Sequence, residues 1–484
     1  MEKRTISTVF IISALLNACT VVGPDYAKPK FTTEDNWFSS ERAEAVVDER
    51  MPIQIDWWQV FNDPLLSKII KQAAQNNLDI KIAEANIRKA RALRSGKSAD
   101  YYPSIESSVD VVRESLSENG RLPASSIPGI ASNRTVYEAG FDASWELDFF
   151  GGTQRSVEAA DARLDSAIES RRDIVLSILA ETMRNYIELR GTQRRIAIIK
   201  QNIKLQKKTV EIVKQRYDFG DTSKFELARA EAQLRLTEAS LPNLTADLRA
   251  SAYRLTVLTG QEPQVLLEKL LETKPLPVPP DIVPVGLRSD ILRRRPDIRL
   301  AERQLAAETA DIGVATANLF PKFALTGTVG VESLSFGDLF QSTSTFWALG
   351  PLIRWPIFRG GAIRSQIAVE KAEAEAAAIA YEKAVLTALT DAETALVRYG
   401  QELETRKRLN KAVDLNKHSA YLAKQRYRLG EDNILSVVDA EHELSRVEDK
   451  LVISETHTLI NLVSLFKTLG GGWEVFESKR VIKK

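Results

Sequence analysis

Residues that carry thiol and soft-metal chemistry are almost missing: 484 residues contain one Cys, three His and three Met. No disulfide, no Cys/His zinc site and no methionine track for copper can be assembled within one chain. His418, His442 and His457 lack HExxH or HxxxH spacing, and there is neither a phosphate-binding GxxxxGK(S/T) loop nor a nucleophile elbow. No cofactor, no metal and no catalytic group are therefore expected. A basic excess is missing too: 66 Lys and Arg stand against 65 Asp and Glu, and nucleic acid is not an expected partner. With 44% hydrophobic and 27% charged residues, the chain is neither disordered nor a bundle of transmembrane helices. It is too long for a single compact core.

The single cysteine has an informative position. Lys3 and Arg4 precede a mostly apolar run over residues 6–16, too short to span a bilayer, and the run ends Leu16-Asn17-Ala18-Cys19. Residues 1–18 read as a signal peptide, and the ending resembles a bacterial lipobox, in which the cysteine is lipidated and becomes the first mature residue. Acyl chains at ~0.8 kcal/mol per buried CH₂ would hold that terminus on a membrane. Thr20, which is not Asp, permits sorting to the outer membrane by the same resemblance.

The chain is written twice. Asp79, Ala83, Glu84, Ala99 and Pro103 recur, displaced by 218, as Asp297, Ala301, Glu302, Ala317 and Pro321. Gly140, Trp145, Arg216, Tyr217 and Gly220 recur, displaced by 210, as Gly350, Trp355, Arg426, Tyr427 and Gly430. The segment after each proline is thus longer in the first half, as a surface loop tolerates. The organisation read from this is a signal (1–18), an extended lipidated segment (19–62), a first repeat (63–260), a Pro-rich extended connector (261–287), a second repeat (288–469) and a tail (470–484).

Each repeat changes period in the same order. Residues 64–99 and 289–320 read as helix. After each closing proline the period falls to two, predicting β-hairpins over 104–149 and 322–358: Ile105, Val109 and Val111 oppose Glu106, Ser108 and Asp110, and Phe323, Leu325, Val329 and Val331 oppose Ala324, Thr326, Thr328 and Gly330. Polar loops at 114–134 and 333–345 join the strands. Long helical hairpins follow at 153–260 and 362–469. At ~1.5 Å per residue, residues 153–219 alone would extend ~100 Å. Ile199, Ile203, Gln206, Val210, Val213 and Tyr217 form a heptad seam that Leu409, Val413, Asn416, Ala420, Ala423 and Tyr427 repeat register for register.

Four strands with one apolar face cannot close a barrel alone, and an open edge cannot lie in hydrocarbon. Either they pack on a soluble core or several chains contribute; three chains would supply twelve strands. A coiled-coil tether across the periplasm would explain the anchor and the rods but not the hairpins, and a soluble enzyme explains less still.

Taken together, several motifs resemble the TolC-like outer-membrane efflux factors, in their lipid-anchored NodT-type or OprM-like branch: Cys19 to Tyr26, Trp57-Trp58 with Phe61 to Leu66, Trp145 to Gly152, Arg294-Arg295-Pro296-Asp297-Ile298, Ala301-Glu302 and Gly470-Gly471-Gly472-Trp473. The resemblance covers the whole mature chain. It implies a mainly α trimer with a small β part, joining a twelve-stranded outer-membrane barrel to a periplasmic helical barrel. The implied partners are a periplasmic adaptor, an inner-membrane proton-driven (RND-type) pump and outer-membrane lipids. The implied role is passive export of drugs or other toxic small molecules, with a protein-secretion exit duct as the rival within the class.

Function then resides in a conduit and its gate. The glycine-marked turns Arg216-Tyr217-Asp218-Phe219-Gly220 and Arg426-Tyr427-Arg428-Leu429-Gly430 reverse two helices. By resemblance they face the adaptor, with Arg216, Tyr217, Gly220, Arg426, Tyr427 and Gly430 as docking residues. Leu435 and Asp439, spaced i,i+4, share a helical face, and threefold rings of them would form an apolar constriction and a cation-attracting collar. The resemblance matches them to gate positions. At 442, where relatives carry Arg, this chain has His442, and at 229 the first repeat has Arg229 where the second has Asp439.

Overall fold

The computed structural model describes residues 21–31, 33–34, 36–38, 47–48, 50–117, 119 and 131–477. The leader, Cys19, the tip of the first strand connection (120–130) and residues 478–484 lie outside the described residues. The chain forms two compact units, one from Met1–Pro29, Arg88–Ser166 and Ala301–Ala380, the other from Lys30–Ile87, Ala167–Leu300 and Tyr381–Lys484. Among the described residues no helix is long and apolar enough to cross a membrane.

The first helical stretch starts as its sequence predicts. Asp63 accepts hydrogen bonds from the Leu65 and Leu66 N–H groups, and Pro64 occupies the first helical position. It does not run on to 99 unbroken. Helix α1 (Pro64–Asn76) stops and α2 (Leu78–Ala99) begins, because Asn77 turns out of helical geometry. Its Oδ1 caps the Asp79 and Ile80 N–H groups, while its Nδ2 donates to the Leu258 carbonyl. Three competing side-chain bonds outweigh one more turn.

Strands β1 (Ser104–Ser115) and β2 (Asn133–Leu147) follow, then the 67-residue helix α3 (Gly152–Asp218) and α4 (Lys224–Leu258). The connector read as extended contains a helix, α5 (Pro263–Leu271), with Leu266 and Leu270 buried. Pro263 starts it, and two buried α3 side chains hold its end: Arg190 Nη1 donates to the Glu272 carbonyl at 2.7 Å and Gln193 Nε2 to the Leu270 carbonyl at 3.0 Å. The second repeat runs through α6 (Pro296–Ala317), β3 (Lys322–Ser333), β4 (Thr345–Arg354), α7 (Ala362–Arg428) and α8 (Ile434–Thr468). The helix read from 289 is interrupted at Arg295, as a residue before proline prefers.

In the first unit the strands make one antiparallel sheet in the order β1-β2-β3-β4. The two hairpins therefore join through β2 and β3, a pairing between repeats that strand periodicity does not announce. Each repeat anchors its hairpin identically: Trp145 Nε1 donates to the Tyr101 carbonyl at 2.9 Å, and its counterpart Trp355 to the Leu319 carbonyl at 3.1 Å. Phe149 meets Phe323 edge-on at 5.1 Å, and Phe150 stacks on Phe320 at 4.6 Å. Residues 21–29 lie along this unit as a strap. The Val22 N–H donates to the Phe150 carbonyl, and buried Arg155 donates to the Val22 and Gly23 carbonyls and pairs with Asp25 at 2.7 Å. Glu302 holds the strap farther on, accepting from Lys28 at 2.7 Å and from the Tyr26 hydroxyl.

In the second unit the Trp57-Trp58 motif is core. Trp57 stacks on Phe466 at 5.1 Å and donates to the Gly471 carbonyl, while Trp58 stacks on Phe476. The Arg295-Pro296-Asp297 motif is a corner: Arg295 holds Asp297 with two bonds and donates to the Thr468 carbonyl at the end of α8.

Candidate functional site

The distal turns are built alike. Gly220 and Gly430 take φ of 84° and 76°, the left-handed region glycine enters most cheaply. The Asp221 N–H donates to the Arg216 carbonyl and the Glu431 N–H to the Arg426 carbonyl, closing both helix ends. Ser223 and Asn433, equivalent positions, cap the returning helices. The Thr222 hydroxyl and the Ser223 N–H hold the Glu226 carboxyl below its ordinary range, and Ser436 with the Asn433 N–H does the same for Asp432. The residues before the glycines, Phe219 and Leu429, are 84% and 72% exposed. They are the most solvent-directed apolar groups of the turns, and the docking residues read from sequence did not include them.

The turns are not interchangeable. Arg216 lies over the Tyr427 ring at 4.4 Å, so the first turn reaches onto the second. Burial pushes the Tyr427 phenol up despite that cation. Arg426 instead approaches Asp432 of its own turn at 3.6 Å. Tyr217 is exposed.

Just above, the helices share an apolar cluster in which Val213, Ala230, Ile434, Val437 and Val438 are buried, with Val210, Leu227, Ala423 and Tyr427 packed against it. This is where the matched heptad seams converge. Burial of Ile434, Val437 and Val438 turns the other side of α8 outward. Leu435 is half-buried there and Asp439 and His442 are exposed, one stripe at i, i+4 and i+7. The three gate residues read from sequence are thus brought together. Asp439 is not a bare carboxylate, however: Arg229 Nη2 lies 2.8 Å from its Oδ1. The displacement of 210 had marked these two as non-equivalent copies, and that they would touch was not legible. Arg446, next on the stripe, is engaged by Glu443 at 2.6 Å.

In the first unit the register aligns one face across all four strands. Phe141 pairs with Val329 and Val329 with Trp347; Trp145 pairs with Leu325; Ile105 pairs with Ala143. Ile105, Val109, Phe141, Val329, Trp347 and Leu349 are exposed on it. The opposite face carries Glu106, Ser108 and Asp110 on β1, Asp142 and Ser144 on β2, and Thr326 and Thr328 on β3, by the period of two. One face of the sheet is thus apolar and the other polar over β1 to β3. Among the described residues one carboxylate trio is close enough to hold a cation, Glu308, Asp311 and Glu370. Arg163 already sits on Glu308 and Asp311, so two of the three carboxylates are engaged in an ion-pair cluster.

The profile of the family described as outer membrane efflux protein matches residues 69–261 and 287–471, the two repeats without the connector. Nodulation protein T of Rhizobium leguminosarum bv. trifolii is 31% identical over 449 residues, 92% of either chain. The toluene efflux pump outer membrane protein TtgF of Pseudomonas putida is 28% identical over 478 residues, 97% of either chain. The solved structure of the outer-membrane channel OprN matches with a TM-score of 0.86 at 34% identity, covering 94% of this chain and 99% of that one.

Proposed function

The chain belongs to the outer membrane efflux protein family, and from that premise we propose that three copies form one channel, the passive exit conduit of a tripartite efflux pump. It resides in the outer membrane and serves efflux. The observation that carries the assembly is the sheet: four strands with a continuous apolar face, whose outer strands β1 and β4 each present an edge unpaired among the described residues. In hydrocarbon those edges must be paired. Three chains supply twelve strands, an even number that closes a ring with its apolar face to lipid and its polar face to water. The repeats 63–260 and 288–469 then act as six similar units, with 261–287 as the connector.

Lipidation at Cys19 anchors the N-terminus, and the strap carries the chain from there. The turns around Arg216, Tyr217, Gly220, Arg426, Tyr427 and Gly430 dock a periplasmic adaptor, which links the channel to a proton-driven inner-membrane pump. Leu435, Asp439 and His442 line the constriction. The cargo is drugs or other toxic small molecules; the relative named for toluene efflux supports an apolar range.

The test is stoichiometry and conductance. Protein extracted in mild detergent is expected to measure as three chains by light scattering, and a monomer would overturn the assembly. Leu435→Ala with Asp439→Ala is expected to raise single-channel conductance in planar bilayers; an unchanged value would move the constriction elsewhere.

A further inference from the structure

We infer that Arg229 sets the ion preference of the channel, by holding Asp439 in an ion pair within each protomer so that the constriction presents paired charges instead of bare carboxylates. This rests on the reading that the Leu435–Asp439–His442 stripe lines the pore. Arg229 and Asp439 are each the sixth residue of their helix, α4 from Lys224 and α8 from Ile434. They therefore stand at one height above equivalent turns. Their neighbours Ala230 and Val438 are buried in the same apolar cluster, which brings the two helices together and leaves positions 229 and 439 at its rim. The pair closes at 2.8 Å, and both side chains remain largely exposed, at 44% and 61%.

An exposed pair adds little to stability, but it has a large effect on the local field. Three carboxylates converging on an axis would repel one another and draw in cations. A guanidinium within hydrogen-bond distance turns each into a dipole whose field falls off faster than a charge's. Among the described residues Arg229 is the one cation paired with Asp439, while Arg446 is engaged by Glu443 and Lys424 by Glu441. Sequence comparison of the two repeats treats 229 and 439 as a loss of symmetry. In the structure that asymmetry supplies opposite charges at one place.

The experiment reads reversal potentials of the full-length protein in planar bilayers under a KCl gradient. Arg229→Gln is expected to raise the K⁺/Cl⁻ permeability ratio roughly threefold or more, and to sensitise the current to added Mg²⁺. Asp439→Asn leaves Arg229 uncompensated and is expected to shift the ratio the opposite way. The exchange Arg229→Asp with Asp439→Arg restores the wild-type ratio. If Arg229→Gln does not insert, Asp439→Asn and the exchange decide. Single variants that conduct with the wild-type ratio, or that both shift it in one direction, overturn the assignment. A wild-type protein that gives no conductance steps overturns the conduit itself, and this assignment with it.

Discussion

Val329 and Thr328 are neighbours on β3 that the register sends to opposite faces, and they offer a direct test of the membrane sheet. Val329 lies near the middle of the strand between Phe141 and Trp347, whereas Thr328 lies between Asp142 and Ala348. An arginine on the lipid face at mid-membrane costs ~2–4 kcal/mol, against ~0 on the lumen side. Threefold symmetry makes that ~6–12 kcal/mol per assembly for Val329→Arg. Thr328→Arg places its guanidinium on the polar face, beside the Asp142 carboxylate, and should be close to neutral. The assay is urea unfolding of the protein folded into lipid vesicles, with the fraction of trimer surviving electrophoresis as a second readout. Val329→Arg is expected to lower the midpoint sharply and Thr328→Arg to leave it within error. Equal damage from both, or none from Val329→Arg, would refute the assignment of faces, since the two sites differ only in the side of the sheet they occupy.

Removing Arg155 takes away two carbonyl contacts and the Asp25 pair at once. Arg155→Ala is expected to cost about 1–3 kcal/mol and to speed proteolysis within residues 21–29, measured by timed digestion and mass spectrometry. At Glu302, burial works to raise the carboxyl pKa but the bonds from Lys28 and Arg303 outweigh it and hold it low. The stability it gives the strap is thus full above the ordinary Glu range and is lost as pH falls through the depressed value. Opening of residues 26–31, read by amide hydrogen exchange corrected for its intrinsic pH dependence, should increase below about pH 4, and Glu302→Gln should show the raised opening already at pH 7. A Cβ at Gly430 would meet nothing within 4 Å, so Gly430→Trp carries only a backbone penalty of about 1–2 kcal/mol while altering the turn's surface. It is expected to reduce crosslinking to the adaptor and drug resistance; intact crosslinking would remove the turn from the docking surface.

Periodicity and repetition were enough to read the local architecture. The displacement of 210 that matches Trp145 with Trp355 and Gly220 with Gly430 implied that each repeat is built alike, and both tryptophans indeed cap the same carbonyl of their own repeat. The period of two separated Val329 from Thr328, and the heptad seam located Val213 and Val413, both buried. These are properties of a few adjacent residues, and backbone geometry alone converts them into faces.

Other features depended on partners far along the chain. Asn77 breaks a helix because Leu258 offers a carbonyl, and α5 forms where an extended connector was expected because Arg190 and Gln193 receive its end. Pairing of β2 with β3, on which the continuous apolar face depends, was a choice among strands with similar patterns. Arg229 and Asp439 were visible as a mismatch between copies, and packing of α4 on α8 around Ala230 and Val438 made the mismatch an ion pair. A sequence specifies which side of each element is apolar. Which elements meet, and which charges then face one another, is decided by long-range packing, where several pairings satisfy the same local pattern and only the whole chain selects among them.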